Sequence, residues 1–419
     1  MKRAVAAAAL AAVALAACGG GGDERETVRL LLFGGPEEIV GYEAMAAEFE
    51  DANPDLDVVV SPVANQDDLL GRLATGFASS APPEVFLVNF RKYGQFAARG
   101  ALRPVQGYLD ASTVLAEDDF VATALDVFRF DGDELTCLPQ NVSSLVVYYN
   151  LDLFDARRIS HPAPGWTWDD FLAAARGLTG DGSYGVGISP DLIRLAPFVW
   201  SNGGEVVDDP TNPTRLTLDT GPAREALDFL LDLSLVHGVV PPDAEELSED
   251  AESRFLRGGL GMYLGSRRSV PTLRTIDGFT WDAAPLPVAP GGTPVTMLHS
   301  DAYCISEGTG HEDAAWRLVE FAMGDRGQEI LAESGRTVPS RIAVLESDAF
   351  LEPTAAPRSA QVFVDNARIA RATPHTASWA QVERQADDIL ESMFYGRIDR
   401  EEGLRQLTED LLPVFGEES

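Results

Sequence analysis

The chain lacks the usual marks of an enzyme. There is no HExxH, no CxxC, no G-x-x-x-x-G-K-[ST] phosphate loop and no G-x-S-x-G elbow, and the five histidines lie far apart. Paired carboxylates carry no signal either. With 66 Asp and Glu among 419 residues, any two could be imagined as a glycosidase pair. No catalytic residue, cofactor or metal is therefore expected. Positive charge is scarce: 32 Lys and Arg leave a formal net charge of −34. Such a surface repels nucleic acid and anionic lipid, which removes both as direct partners and reads as an adaptation for solubility or salt. Cysteine occurs only three times, and no internal repeat is visible.

What is present begins with a leader. Lys2 and Arg3 precede an apolar run over residues 4–17, which reads as a secretory signal peptide (1–17) and not as a membrane span. LAAC (15–18) looks like a bacterial lipobox, whose cysteine, Cys18, is lipidated and becomes the new N-terminus. An ordinary signal peptide with a chance cysteine is the alternative. Residues 18–27, rich in glycine, read as the lipidated cysteine and a flexible tether. The folded part is then expected outside the cytoplasm, lipid-anchored at the outer face of the cell membrane or in the periplasm. The roughly 400 residues that remain are enough for two lobes at ordinary domain sizes.

Apolar runs of strand length at 28–33, 56–60 and 85–88 alternate with helical spacing. Tyr42, Met45, Ala46 and Phe49 mark one helix, and Leu69, Leu70, Leu73 and Phe77 the next. Pro36 with Glu37 and Glu38 is a helix start. This order predicts an α/β fold with a parallel sheet, crossover helices and ligand-holding loops at the carboxyl ends of strands. Two loops qualify, 33–38 and 89–93.

The chain is organised around ELTCLPQNVSSLVVYYN (134–150). A short apolar piece and Pro139 give way to Gln140, Asn141, Ser143 and Ser144, and then to a β-branched and aromatic run. A buried strand that pauses for four hydrogen-bonding side chains has reached something to bind. The stretch resembles the inter-lobe crossing of bacterial extracellular solute-binding proteins that serve ABC importers, in particular the sugar-binding, maltose-binding-protein-like branch (family 1). PPEVFLVNFRKYGQFAARGAL (82–102), NLDLF (150–154), PGWTWDDF (164–171) and the stretch from Arg194 through Trp200 to Glu205 fit the same family. So do GLGMYLGSRR (259–268), APLPVAP (284–290), TMLHSDAYCIS (296–306), GRTVPS (335–340) and the segment from Thr373 to Trp379. Their order and spacing carry the resemblance nearly to the last helix.

The resemblance implies a type II-like periplasmic-binding-protein fold, two lobes that are each a mostly parallel sheet flanked by helices, joined by a multi-strand hinge. Residues 28–138 plus 303–340 would form the first lobe, and 139–302 plus 341–419 the second. It implies a ligand set of Glu37, Glu38, Asn89, Arg91, Tyr93, Gln140, Asn141, Ser143, Asn202, Gly203, Ser266, His299, Ser300, Asp301, Arg336 and Trp379. Arg91 and Tyr93 are equally open to capping or core roles, and a lone histidine such as His299 is more often a satisfied structural group. Trp200 is the aromatic candidate for stacking on a pyranose, with a core role as the alternative. Arg267 stands where many sugar binders carry an aromatic residue, and a guanidinium forks onto hydroxyls, carboxylate or phosphate. An acidic solute, such as a sugar acid or a glycerol phosphate, therefore stands beside the mono- or oligosaccharide. Trp168, behind a Thr167–Asp170 capping pattern, is read as structural. Cys137 and Cys304 fall on crossing segments, as a disulfide or as two buried thiols. The function implied is capture of a solute between the lobes by a monomer, hinge closure, and delivery to an ABC permease. The alternative is the same body serving as a ligand sensor for a signalling receptor.

Overall fold

The computed structural model describes residues 25–130 and 134–416. The leader, Cys18 and most of the tether lie outside them. The described residues form two six-stranded sheets. The first opens with β1 (Glu26–Phe33), β2 (Leu56–Val63) and β3 (Val85–Asn89), with β1 parallel to both neighbours. Its short members are β4 (Leu102–Arg103) and β5 (Cys137–Pro139). The chain then crosses into the second sheet and lays down β6 (Ser143–Asn150), β7 (Tyr184–Gly187), β8 (Leu260–Ser266), β9 (Trp281–Ala284) and β10 (Thr296–His299). It crosses back through Ser300 to place β11 (Asp301–Ser306) between β3 and β4 of the first sheet. A last strand, β12 (Ala370–Arg371), closes the edge of the second beside β10.

Each sheet is mixed, where the resemblance implies mostly parallel ones. β11 runs antiparallel to β3, β4 and β5, and β6 runs antiparallel to β8, β9 and β10. The reason is geometric. β3 ends at Asn89, on the side where the lobes meet, and β11 starts there, with Asp301 opposite Asn89. A strand that enters a sheet from the crossing must run against strands that finish at it.

Burial explains the local elements. Helix α1 (Pro36–Ala52) has Pro36 in its first turn, takes the Gly35 N–H on the Glu38 carboxylate at 2.9 Å, and buries Tyr42, Met45, Ala46 and Phe49. Helix α2 (Phe90–Ala97) is capped by Asn89, and α3 (Leu192–Ser201) by Asp191. Helix α4 (Gly221–Leu235) starts after Thr220, whose hydroxyl donates back to Thr217 instead of capping. Thr167 and Asp170 make the expected capping box, and Trp168 stacks on Phe229 with centroids 4.8 Å apart. Helix α5 (Trp379–Phe394) packs on α2, at the end of the first sheet, and on α3 and α4 of the second lobe. The approach to α2 is backbone to backbone: a Cβ on Gly94 would stand 2.2 Å from the His375 carbonyl oxygen. Cys137 and Cys304 face each other in register across β5 and β11 and are disulfide-bonded, with Cα atoms 4.6 Å apart.

Candidate functional site

Three segments meet where the sheets join. The first holds Gln140 and Asn141, between β5 and β6. The second is Ser300, between β10 and β11, and the third is the loop 335–340. They lock to one another through their own backbones. Val142 N–H donates to Val338 O at 2.9 Å, and Gln140 N–H to Asp301 O at 2.7 Å. Ser300 Oγ donates to Asn141 O at 2.7 Å, and Ser340 Oγ to Pro139 O. Gln328 braces them, donating to Gln140 O and accepting from Ser340 N–H.

Asp301 is the centre of the polar belt on this floor. Asn89 Nδ2 donates to its Oδ1 at 3.0 Å and Asn141 Nδ2 to its Oδ2 at 2.9 Å, while its own N–H goes to Asn141 Oδ1. Burial pushes the Asp301 carboxyl up, against the pull of the two amides. Asn89 Oδ1 also takes the Arg91 backbone and Nε donors. On one flank Arg336 Nε donates to Glu38 at 2.8 Å, with the exposed Glu37 3.9 Å away. On the other, Ser143 pairs with His299 across β6 and β10. His299 Nε2 and Gln140 Nε2 are buried without a partner. Burial, then the charges of Arg91, Arg194 and Arg268, hold the His299 ring well below its ordinary pKa, so it is neutral. The belt thus offers amide, carboxylate and imidazole groups, some of them unspent, which suits a hydroxyl-bearing solute better than an apolar one.

Beyond the belt, α5 faces both lobes. Glu383 takes Arg91 of α2 and lies 3.6 Å from Lys92, one of two lysines in the chain. One turn on, Asp387 accepts from the Leu192 N–H of α3 at 2.7 Å. Burial, then the Asp191 charge, push the Asp387 carboxyl up to about 8. Asp191 is itself raised by burial despite its ion pair with Arg194.

The structure therefore gathers Glu38, Asn89, Arg91, Gln140, Asn141, Ser143, His299, Ser300, Asp301 and Arg336 along one floor, and has seven other assigned residues buried or otherwise engaged. Tyr93 is a core residue, wholly buried among Phe128, Phe130 and His375. Trp200 packs inside the second lobe with the Arg371 guanidinium 4.8 Å over its ring, which leaves little of it to stack on a sugar. Asn202 and Gly203 form the turn that closes α3, where Asn202 Nδ2 reaches Pro222 O and Glu225; Gly203 takes the left-handed φ of 79° there. Arg267 is fully buried between Phe350 and Phe363, donates to Gly335 O and pairs with Glu352; burial lowers it to about 10. Ser266 gives its carbonyl to Tyr148, and Trp379 is completely buried at the start of α5, its indole beside Glu383. Asp191, Arg194, Glu383 and Asp387 were missed by sequence reasoning; only their spacing at the start of α3 and along α5 marked them, and the abundance of acid hid it.

The two amides that converge on Asp301 make a direct test. Asp301→Asn turns an acceptor-only group into one whose NH₂ must face the Nδ2 of Asn89 or Asn141. It is expected to lower unfolding free energy by about 1–3 kcal/mol, read by urea denaturation. Unchanged stability would mean that the belt does not depend on this carboxylate.

Among the described residues no group of His, Cys, Asp and Glu is placed to hold a metal ion, and no helix is long and apolar enough to cross a membrane. A sequence model of the bacterial extracellular solute-binding proteins matches residues 35–329. A binding protein of Brucella abortus is 23% identical over 369 residues, 85% of each chain. The galactooligosaccharide-binding protein of Bacillus subtilis is 22% identical over 379 residues, 88% of this chain and 84% of that one. An ABC substrate-binding protein from Listeria monocytogenes, solved with cycloalternan, superposes with a TM-score of 0.85 at 21% identity, covering 94% of this chain and all of the other.

Proposed function

Since this chain belongs to the bacterial extracellular solute-binding proteins, which bind and do not catalyse, we propose that it captures a carbohydrate-like solute between its lobes and delivers it to an ABC permease. The lobes in this reading are residues 28–138 plus 303–340 and 139–302 plus 341–419, and Cys18 carries the lipid that keeps the protein at the membrane. The observation that carries the reading is the Asn89–Asp301–Asn141 belt, set where the chain passes between the sheets and flanked by the unpaired Nε2 atoms of Gln140 and His299. A solute lying there touches both sheets. It therefore favours the closed arrangement by its differential affinity for it. The galactooligosaccharide and cycloalternan of the compared proteins support a saccharide over an amino acid or metal.

The test is a thermal-shift and calorimetric screen of the soluble chain starting at Asp23, against neutral and acidic mono- and oligosaccharides. A ligand of the native state raises the melting temperature by mass action. A saccharide that shifts the wild type is expected to bind Asn141→Ala at least tenfold more weakly. A panel without a single hit would reject the carbohydrate reading.

A further inference from the structure

Asn89 ends β3 and caps α2, so α2 is anchored in the first sheet. The segment 373–383 starts two residues after β12, at the edge of the second sheet. Its helix, α5, is tied to that side by the Leu192 N–H on Asp387 and by packing on α3 and α4. The two nonetheless meet. A Cβ on Gly94 would stand 2.2 Å from the His375 carbonyl oxygen and 2.9 Å from that of Thr376. The Tyr93 and His375 rings stack with centroids 6.0 Å apart. Glu383 takes Arg91 and lies 3.6 Å from Lys92. None of these contacts is made by the three crossing segments.

The composition of this contact separates it from a core. Arg91, Lys92, His375 and Glu383 carry much of it, and along the segment the Thr373 and Thr376 hydroxyls and one Glu383 oxygen are buried with no partner. Such groups are rare in permanent packing, because each loses its water without replacement. They are tolerable where two faces part and water returns. A polar contact between lobes also opens far more readily than a large apolar one. Gly94 points the same way. Glycine is a poor residue inside a helix, and what it admits here is the 375–376 backbone. Phe128 and Phe130 keep Tyr93 packed when His375 leaves. From this we infer that residues 373–383 are a latch, seated on α2 when the lobes are closed and released when they part. The latch sets how tightly a solute is held, from outside the belt that touches it. The inference rests on the two-lobe reading of the chain.

The experiment puts a leucine in the seat of the latch. Leucine suits a helix better than glycine, so Gly94→Leu costs stability only if residues 375–376 must stay where they are. Small-angle scattering and thermal melting of the unliganded soluble chain starting at Asp23 give the first reading. The expected result is a radius of gyration larger than that of the closed arrangement, with a melting temperature no lower than the wild type's. A melting temperature lowered by the leucine would show permanent packing. A radius equal to that of the closed arrangement would show that the lobes stay together. Either overturns the latch. Glu383→Gln, which unties Arg91 without adding bulk, should likewise leave the unliganded melting temperature unmoved, and a clear fall counts against the latch.

The second reading is calorimetric titration with galactobiose and maltotriose. A sugar that binds the wild type should bind Gly94→Leu about tenfold more weakly, because apparent affinity scales with the fraction of molecules able to close. Equal affinity overturns the latch. The unliganded readings need no sugar, so a panel without binding sinks the carbohydrate reading while scattering and melting still decide the latch.

Discussion

Replacing Cys137 and Cys304 together by alanine lowers the unfolding free energy of the first lobe by about 3–5 kcal/mol. The bridge spans 167 residues of sequence, and constraining so long a loop in the unfolded chain removes roughly 5 kcal/mol of conformational freedom at 25 °C before native relaxation is counted. A local reason adds to the entropic one. β5 is only three residues long, paired with β11 alone, and Cys137 is completely buried. The covalent link fixes a strand that a few ladder hydrogen bonds would hold weakly. Because Pro139 runs directly into Gln140 and Asn141, loosening β5 also unseats the Asn141 amide from Asp301, so ligand binding weakens with stability. Guanidinium denaturation with and without reductant reads the effect. Reduction should lower the wild-type curve to that of the double variant and leave the variant itself unmoved. Coincident curves for oxidised and reduced wild type would show that the bridge does not stabilise the fold.

The second large effect is on pH. Asp387 has a native pKa of about 8, against about 3.9 for an unfolded aspartate. Between these values the native chain holds a proton that the unfolded chain has released. Stability therefore falls as pH rises from about 4 to about 8 and is flat with respect to this group above that. Arg91 opposes the shift, while burial, Asp191 and Glu383 sustain it. Asp387→Asn keeps the oxygen that accepts the Leu192 N–H and removes the charge. At pH 9 it is expected to be more stable than wild type by about 2–4 kcal/mol, with little difference at pH 4. Urea midpoints at pH 5, 7 and 9 measure this. Parallel pH profiles for the two proteins would mean that the carboxyl is not held protonated.

Much of this arrangement was legible before the structure. The first strands could be read because they are apolar runs separated by one-faced helices, and Tyr42, Met45 and Phe49 are indeed the buried face of α1. The crossing was legible at Gln140 and Asn141 because polar side chains in an otherwise apolar strand need partners, and Asp301 supplies one. Two kinds of information were not. Aromatic side chains suit a core and a sugar equally, so Trp200 and Trp379 could be placed only by their burial. Register was the other. Arg267 and Arg268 are adjacent, and the strand alternation that would assign their sides stops at the short 3₁₀ turn beginning there. One residue decides between a guanidinium sealed behind Phe350 and one free at the surface. The sheet order escaped for a related reason: pattern shows that a segment is a strand, not which strand it will lie beside.

The position of β11 has a consequence for how the molecule is made. It lies inside the first sheet, yet its residues are translated more than two hundred positions after both β1 and β3. Until residue 306 has left the ribosome, β3 has an open side, β4 has no neighbour, and Cys137 has no thiol to meet. The nascent chain thus carries an incomplete sheet for most of its synthesis. Sequences of this layout depend on whatever shields an unpaired apolar strand in the meantime.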